Sequence, residues 1–256
     1  MPLLEIDDLS MHFGGLQAIG NLDLAIDQGE IRGLIGPNGA GKTTVFNLIT
    51  GFHRPSSGEI FFNGRNLVGQ KPHRIADNGI VRTFQIAKLF PNFTVLQNLR
   101  AASHLFIRVN LWEAIFRTSS YRRKEANGLD HAMKALRFLG LDSMKDEFAR
   151  VLPHGHQKLL GIAMALAASP ELLLLDEPLE GMNPKEVDRA LDIIAGIRAQ
   201  GITILLIEHN MRAVMRICDR IVVINFGQEI AKGSPEEIKQ NKDVIKAYLG
   251  TSENGN

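Results

Sequence analysis

A single cysteine, Cys218, stands among 256 residues, so no disulfide can form within the chain, and a reducing, cytoplasmic setting fits best. Long hydrophobic runs are missing too. The longest, such as residues 172–175 and 162–168, are far too short to span a bilayer, which leaves only a peripheral role at a membrane. Met1-Pro2-Leu3-Leu4-Glu5 lacks the basic residues that open a secretory signal, so none is expected. Nor does charge of one sign dominate. Lys plus Arg is 29, Asp plus Glu is 28, and the net of +1 gives no support to a nucleic-acid surface. What is present is 45% apolar and 22% charged residues, enough to bury a large core and to exclude disorder. The length suits one domain or two closely joined lobes.

Residues 3–13 and 21–26 alternate in part, as half-buried strands do. Residues 31–35 read as a strand running into a glycine-rich stretch, with a helix over 42–49 that stops near Gly51. A strand over 59–62 meets the turn pair Asn63-Gly64, a short helix over 72–78 closes at Gly79, and 80–84 reads as a strand. Between Thr94 and Gly140 the strand signal fades, and Leu96, Leu99, Leu105, Phe106, Leu111, Ile115, Phe116, Ala132, Leu136 and Leu139 follow helical spacing. Alternation then resumes: a helix over 157–168 ended by Pro170, a buried strand over 172–175, a helix over 184–200 closed by Gly201, and strands over 203–207 and 221–224. The order predicts an α/β core, about 1–87 and 166–256, with an inserted helical subdomain over about 88–165.

Gly36-Pro37-Asn38-Gly39-Ala40-Gly41-Lys42-Thr43 matches the phosphate-binding loop pattern in full, with Thr44 beside it. As a bare string it is a glycine-rich turn. Between a strand and a helix, its glycines let backbone N–H groups face phosphate oxygens, and the helix adds its positive end. Lys42 can reach the β- and γ-phosphates, and the Thr43 hydroxyl can ligate Mg²⁺. Leu172-Leu173-Leu174-Leu175-Asp176-Glu177-Pro178 places an acidic pair at the C-terminal end of an apolar strand. Alone this could be a solvated acidic turn. Beside a phosphate-binding loop, Asp176 reads as an Mg²⁺ holder and Glu177 as the general base on the attacking water.

Four further segments share this order: Gln85 at a strand end, Leu152-Pro153-His154-Gly155-His156-Gln157 before the acidic strand, Gly181-Met182-Asn183-Pro184 after it, and Ile207-Glu208-His209-Asn210 ending the next strand. Together with the two motifs they resemble the ATP-binding cassette ATPases, over nearly the whole chain. Thr50-Gly51-Phe52, Val81-Arg82-Thr83-Phe84-Gln85, Leu89-Phe90-Pro91, Thr94-Val95-Leu96-Gln97-Asn98-Leu99 and Asp243-Val244-Ile245-Lys246-Ala247-Tyr248-Leu249-Gly250 narrow the likeness. They look like the importer subfamily for branched-chain amino acids, and the insertion over 109–124 looks like the longer of its two ATPases. Importers for urea or small amides share these motifs; cassettes for lipid or polysaccharide export, and soluble non-transport cassettes, are the remaining rivals.

The resemblance implies a P-loop core with a mixed sheet, an N-terminal antiparallel β portion and a helical insertion. It implies ATP and Mg²⁺, hydrolysis to ADP and phosphate, and a place on the cytoplasmic face of the cell membrane. Two cassettes would close head to tail, the second being a related chain or a second copy, against two transmembrane permeases and a substrate-binding protein, without nucleic acid. Gln85 would contact the γ-phosphate and Mg²⁺, His209 would hold the attacking water with Glu177, and Gly155 would face the partner's ATP. Phe13 would stack on adenine; the alternative is a core phenylalanine. Pro153, His154 and His156 depart from the family's usual serine, glycine and glutamine, and Gly161 sits mid-helix at a cost of roughly 1 kcal/mol against alanine. Arg117, Arg122, Arg123 and Lys124 either meet permeases or lipid headgroups or form a solvated face. Cys218, in an apolar stretch, reads as a buried small residue.

Overall fold

The computed structural model describes residues 1–83, 89–106, 129–130 and 132–249. They divide into two compact units: residues 1–82, 171–177 and 194–256 form one, residues 83–170 and 178–193 the other. Gln85, the insertion over 109–124 and its basic cluster lie outside the described residues.

In the first unit the strands are, in chain order, β1 (Leu4–Phe13), β2 (Leu16–Ile26), β3 (Ile31–Ile35), β4 (Ser57–Phe62), β5 (Arg65–Asn66), β6 (Ile80–Arg82), β7 (Leu172–Asp176), β8 (Thr203–Ile207), β9 (Arg220–Asn225) and β10 (Gln228–Gly233). They make two sheets, ordered β2-β1-β4-β5 and β10-β9-β3-β8-β7-β6. The first is antiparallel. The second is parallel except for the β9–β10 hairpin, whose loop residues Phe226 and Gly227 both have positive φ. Residues of β3, β7 and β8 are buried without exception, which is why their sequences run apolar instead of alternating. Asn63 and Gly64 form the expected turn, both at positive φ, between the paired Phe62 and Arg65.

The mixed and antiparallel sheets are those the family likeness implies. Most boundaries fall within two residues of the sequence expectation, and two differ by more. β2 starts at Leu16, not 21, because Leu16, Gln17 and Ile19 pair with β1 although Leu16 and Gln17 face solvent. The helix expected over 157–168 runs over His154–Leu166: Pro153, at φ −53°, is its N-cap, so the turn starts immediately after it.

Helices α1 (Lys42–Ile49) and α2 (Pro72–Asp77) follow β3 and precede β6. α1 buries Val45, Phe46, Leu48 and Ile49 in a core shared with Phe62, Leu174, Leu205, Ile207 and Ile224. In the second unit, α3 (Val95–Phe106) packs on α4 (His154–Leu166). Thr94 and Gln97 cap α3 reciprocally, the Thr94 N–H donating to Gln97 Oε1 and the Gln97 N–H to Thr94 Oγ1. Asn98 is fully buried and ties the preceding loop to α3 through Phe90, Phe93 and Thr94. α5 (Pro184–Ala199) runs from residues of the second unit into residues of the first. α6 (Met211–Ile217), α7 (Pro235–Gln240) and α8 (Lys242–Leu249) complete the chain as described. Cys218 is buried, and burial pushes its thiol up to about 12. Among the described residues no helix is long and apolar enough to cross a membrane.

Candidate functional site

The buried strand β3 delivers the chain into residues 36–41 at the C-terminal edge of the parallel sheet. The loop turns on itself, with the Ala40 N–H donating to Pro37 O at 3.2 Å, and α1 starts at Lys42. Gly41 holds φ +104°, and a Cβ there would stand 2.6 Å from Ile19 Cδ1 and 2.7 Å from Ala18 O, so glycine is required by conformation and by space. No side chain caps α1 and no acidic residue sits in its first turn. Its N-terminal N–H groups and positive dipole end therefore have no counter-charge of their own, which suits an anion.

Lys42 is 6% exposed and donates to Gly36 O at 2.7 Å and Pro37 O at 2.9 Å. Burial lowers its pKa below 10.5, and the nearby charges of Glu177 and Asp176 offset part of that drop. A cavity of about 220 Å³ is lined by Asn38, Gly39, Ala40, Gly41, Lys42, Thr43, Thr44, Glu177 and His209. The phosphate loop and two of the expected catalytic residues thus share one space.

Neighbouring strands β7 and β8 explain how Glu177 and His209 meet. Asp176 pairs with Ile207 in register, and each strand's next turn carries one of the two side chains. Glu177 sits in the left-handed region at φ +48°, a conformation that costs an ordinary residue roughly 1–3 kcal/mol and is found at functional turns. Its N–H donates to Ile207 O at 2.9 Å, and its Oε1 contacts His209 Nε2. The His209 N–H is held by Glu208 Oε2 at 3.1 Å, while Asn210 caps α6 by accepting from the Ala213 N–H. A carboxylate and an imidazole in contact over a phosphate-binding loop can hold a water and take its proton.

Asp176 is 2% exposed, and Arg82 Nη2 donates to its Oδ2 at 2.7 Å. Arg82 also donates through Nη1 to Asn47 Oδ1 at 2.7 Å. Neither Arg82 nor Asn47 was expected at the site; the signal in the sequence was an arginine within a strand, in the segment Val81-Arg82-Thr83-Phe84-Gln85. The Thr43 hydroxyl and the Asp176 carboxylate are hard oxygen donors, and this chemistry fits Mg²⁺, which completes its shell with phosphate oxygens and water.

Phe13 ends β1, is 44% exposed and meets His53 edge-on with ring centres 5.4 Å apart; it is not among the cavity's lining residues. In the second unit Gly155 lies buried in the first turn of α4, where a Cβ would come 3.3 Å from the Glu186 carboxylate. Glu186 accepts from the Asn183 N–H, and Asn183 Oδ1 accepts from the N–H groups of Lys185 and Glu186. Gly181 approaches His154 closely enough that a Cβ would stand 2.8 Å from His154 Cδ2. The segment after Glu177 and the start of α4 are therefore one packed cluster.

Residues 19–180 match the family model described as ABC transporter, and residues 228–254 match that of the branched-chain amino acid ATP-binding cassette transporter. The chain is 44% identical over 250 residues to the high-affinity branched-chain amino acid transport ATP-binding protein BraF of Pseudomonas aeruginosa, covering 97% of this chain and 98% of that one. It is 46% identical to the corresponding protein LivG of Escherichia coli, with the same coverage. A crystal structure of an ATP-binding cassette of an ABC transporter in its ADP conformation is 30% identical, with a TM-score of 0.86 over 98% of this chain and 99% of that one. A nucleotide-free cassette is similar at a TM-score of 0.84 and 30% identity, over 97% of this chain and 99% of that one.

Proposed function

This chain belongs to the ABC transporter family, and from that premise we propose that it is the ATP-binding and ATP-hydrolysing subunit of an importer for branched-chain, hydrophobic amino acids. The observation that carries the hydrolytic part is the contact of Glu177 with His209 over the cavity that Lys42 and the loop glycines line. The substrate class follows from relatives of that printed function over 97% of the chain.

In this reading the N–H groups of residues 38–44 cradle the phosphates. Lys42 turns its ammonium from the Gly36 and Pro37 carbonyls to the β- and γ-phosphate oxygens. Thr43 and Asp176, with Gln85 as the family likeness implies, would hold Mg²⁺, which would draw off phosphate negative charge. Glu177 takes the proton of the attacking water, and His209 fixes that water and the γ-phosphate. Phe13 stacks on the adenine.

Hydrolysis is shared with a second ATPase chain, a related subunit, whose ATP meets Gly155 of this one. Two permeases and a substrate-binding protein complete the importer, with this chain on the cytoplasmic face. Co-purification with the permeases, followed by uptake assays over leucine, isoleucine, valine, urea and amides, tests the reading. Uptake of urea or amides to the exclusion of the hydrophobic amino acids would reject the substrate class.

A further inference from the structure

Two carboxylates and two cations stand together at the site. Asp176 and Glu177 are buried, Lys42 is buried, and the Arg82 side chain is 8% exposed. Arg82 is fixed on three sides: by Asp176 at 2.7 Å, by Asn47 at 2.7 Å, and by the Phe46 ring, whose centre lies 5.3 Å from the guanidinium carbon. Asn47 and Phe46 belong to α1 and Asp176 ends β7, so the guanidinium joins the phosphate-loop helix to the acidic strand. Arginine does not give up its proton at any working pH. A divalent cation reaching Asp176 alone therefore meets a carboxylate already offset by a full positive charge, in a setting that screens poorly. A nucleoside triphosphate brings negative charge of its own and reverses that balance.

We propose that Arg82 is a positioning residue that makes divalent-cation binding at Asp176 conditional on nucleotide: it holds the carboxylate in place while cancelling its charge until phosphate arrives. The inference rests on the reading of the cavity as a nucleotide site. Removing the Arg82 charge leaves Asp176 a buried carboxylate that its arginine no longer compensates, which gives the nucleotide-free chain a new affinity for cations. A purely structural ion pair would leave the nucleotide dependence of cation binding in the wild type unaccounted for.

The test uses Mn²⁺ as the probe, with the full-length chain in equilibrium dialysis, with and without a non-hydrolysable ATP analogue; the excess of Mn²⁺ on the protein side leaves out what the analogue chelates in solution. Wild type is expected to bind Mn²⁺ saturably only with the analogue. Without it, Arg82→Met is expected to bind at least about tenfold more tightly than wild type. Arg82→Lys, which keeps the charge, is expected to behave as wild type. Arg82→Gln, uncharged but still a hydrogen-bond donor, replaces the methionine variant if that variant does not fold. Saturable binding by wild type without nucleotide overturns the proposal, as does unchanged or weaker nucleotide-free binding by the uncharged variants. Failure of wild type to bind Mn²⁺ even with the analogue rejects the nucleotide-site reading itself, and the inference with it.

Discussion

Replacing Glu177 with glutamine changes one charge and almost no volume. The backbone at φ +48° suits glutamine as well as glutamate, and the N–H bond to Ile207 O at 2.9 Å is untouched. The amide can still bond to His209, so the fold and the cavity remain. What is lost is the group that accepts a proton from water. General-base removal is expected to slow hydrolysis by roughly 10²–10⁴-fold. That equals about 2.7–5.4 kcal/mol of barrier. ATP affinity should not fall with it. With Glu177 neutralised, Lys42 loses one of the two carboxylate charges that act on it, and the site gains one positive charge toward phosphate. Single-turnover hydrolysis of γ-labelled ATP by the assembled complex measures the rate, and equilibrium titration measures affinity. Hydrolysis near the wild-type rate, or a rate loss matched by an equal loss of ATP binding, would refute Glu177 as the base.

Phe13→Ala is expected to weaken ATP binding by roughly 1–3 kcal/mol, read by titration with a fluorescent analogue; an unchanged dissociation constant would leave Phe13 only its contact with His53. Gly155→Glu sets a second carboxylate against Glu186, where even a Cβ stands 3.3 Å away. It should abolish photoreactive ATP labelling at the partner's site while sparing labelling at this chain's own loop, and the opposite pattern would reverse the assignment of sites. Lys42 gives a pH signature. Its pKa is lowered by burial, so between that value and 10.5 the unfolded chain binds more protons than the folded one, and the residue's own contribution to stability rises with pH there. Bound phosphate favours the ammonium, so ATP binding in the same window takes up protons; calorimetry in two buffers of different ionisation heat reads the uptake, and none would contradict the Lys42–phosphate contact.

The parts of the molecule legible in the sequence are those where one residue type is forced. Gly41 admits no Cβ, and β3, β7 and β8 are buried on both faces and so are written as apolar runs. The loop and the acidic strand could therefore be placed beforehand. β10 could not, because its burial is only partial and it reads Gln-Glu-Ile-Ala-Lys-Gly. β2 was shortened for the same reason, its first residues being exposed on the rim of the antiparallel sheet. α7 did leave a signal, Ser234-Pro235 followed by Glu237, which the structure shows as a complete capping box. Arg82 was illegible as a site residue because its meaning lies in Asn47 and Asp176, partners 35 and 94 positions away in the chain.

The central claim, that ATP turnover at this loop drives import of hydrophobic amino acids, is tested most directly in liposomes. The chain is reconstituted with its second ATPase, the permeases and the substrate-binding protein, with ATP and Mg²⁺ enclosed and labelled leucine outside. The account predicts leucine accumulation that requires ATP and is lost when Glu177→Gln is placed in this chain. Leucine uptake undiminished by that substitution, or ATP turnover with no uptake of leucine, isoleucine or valine, would contradict it.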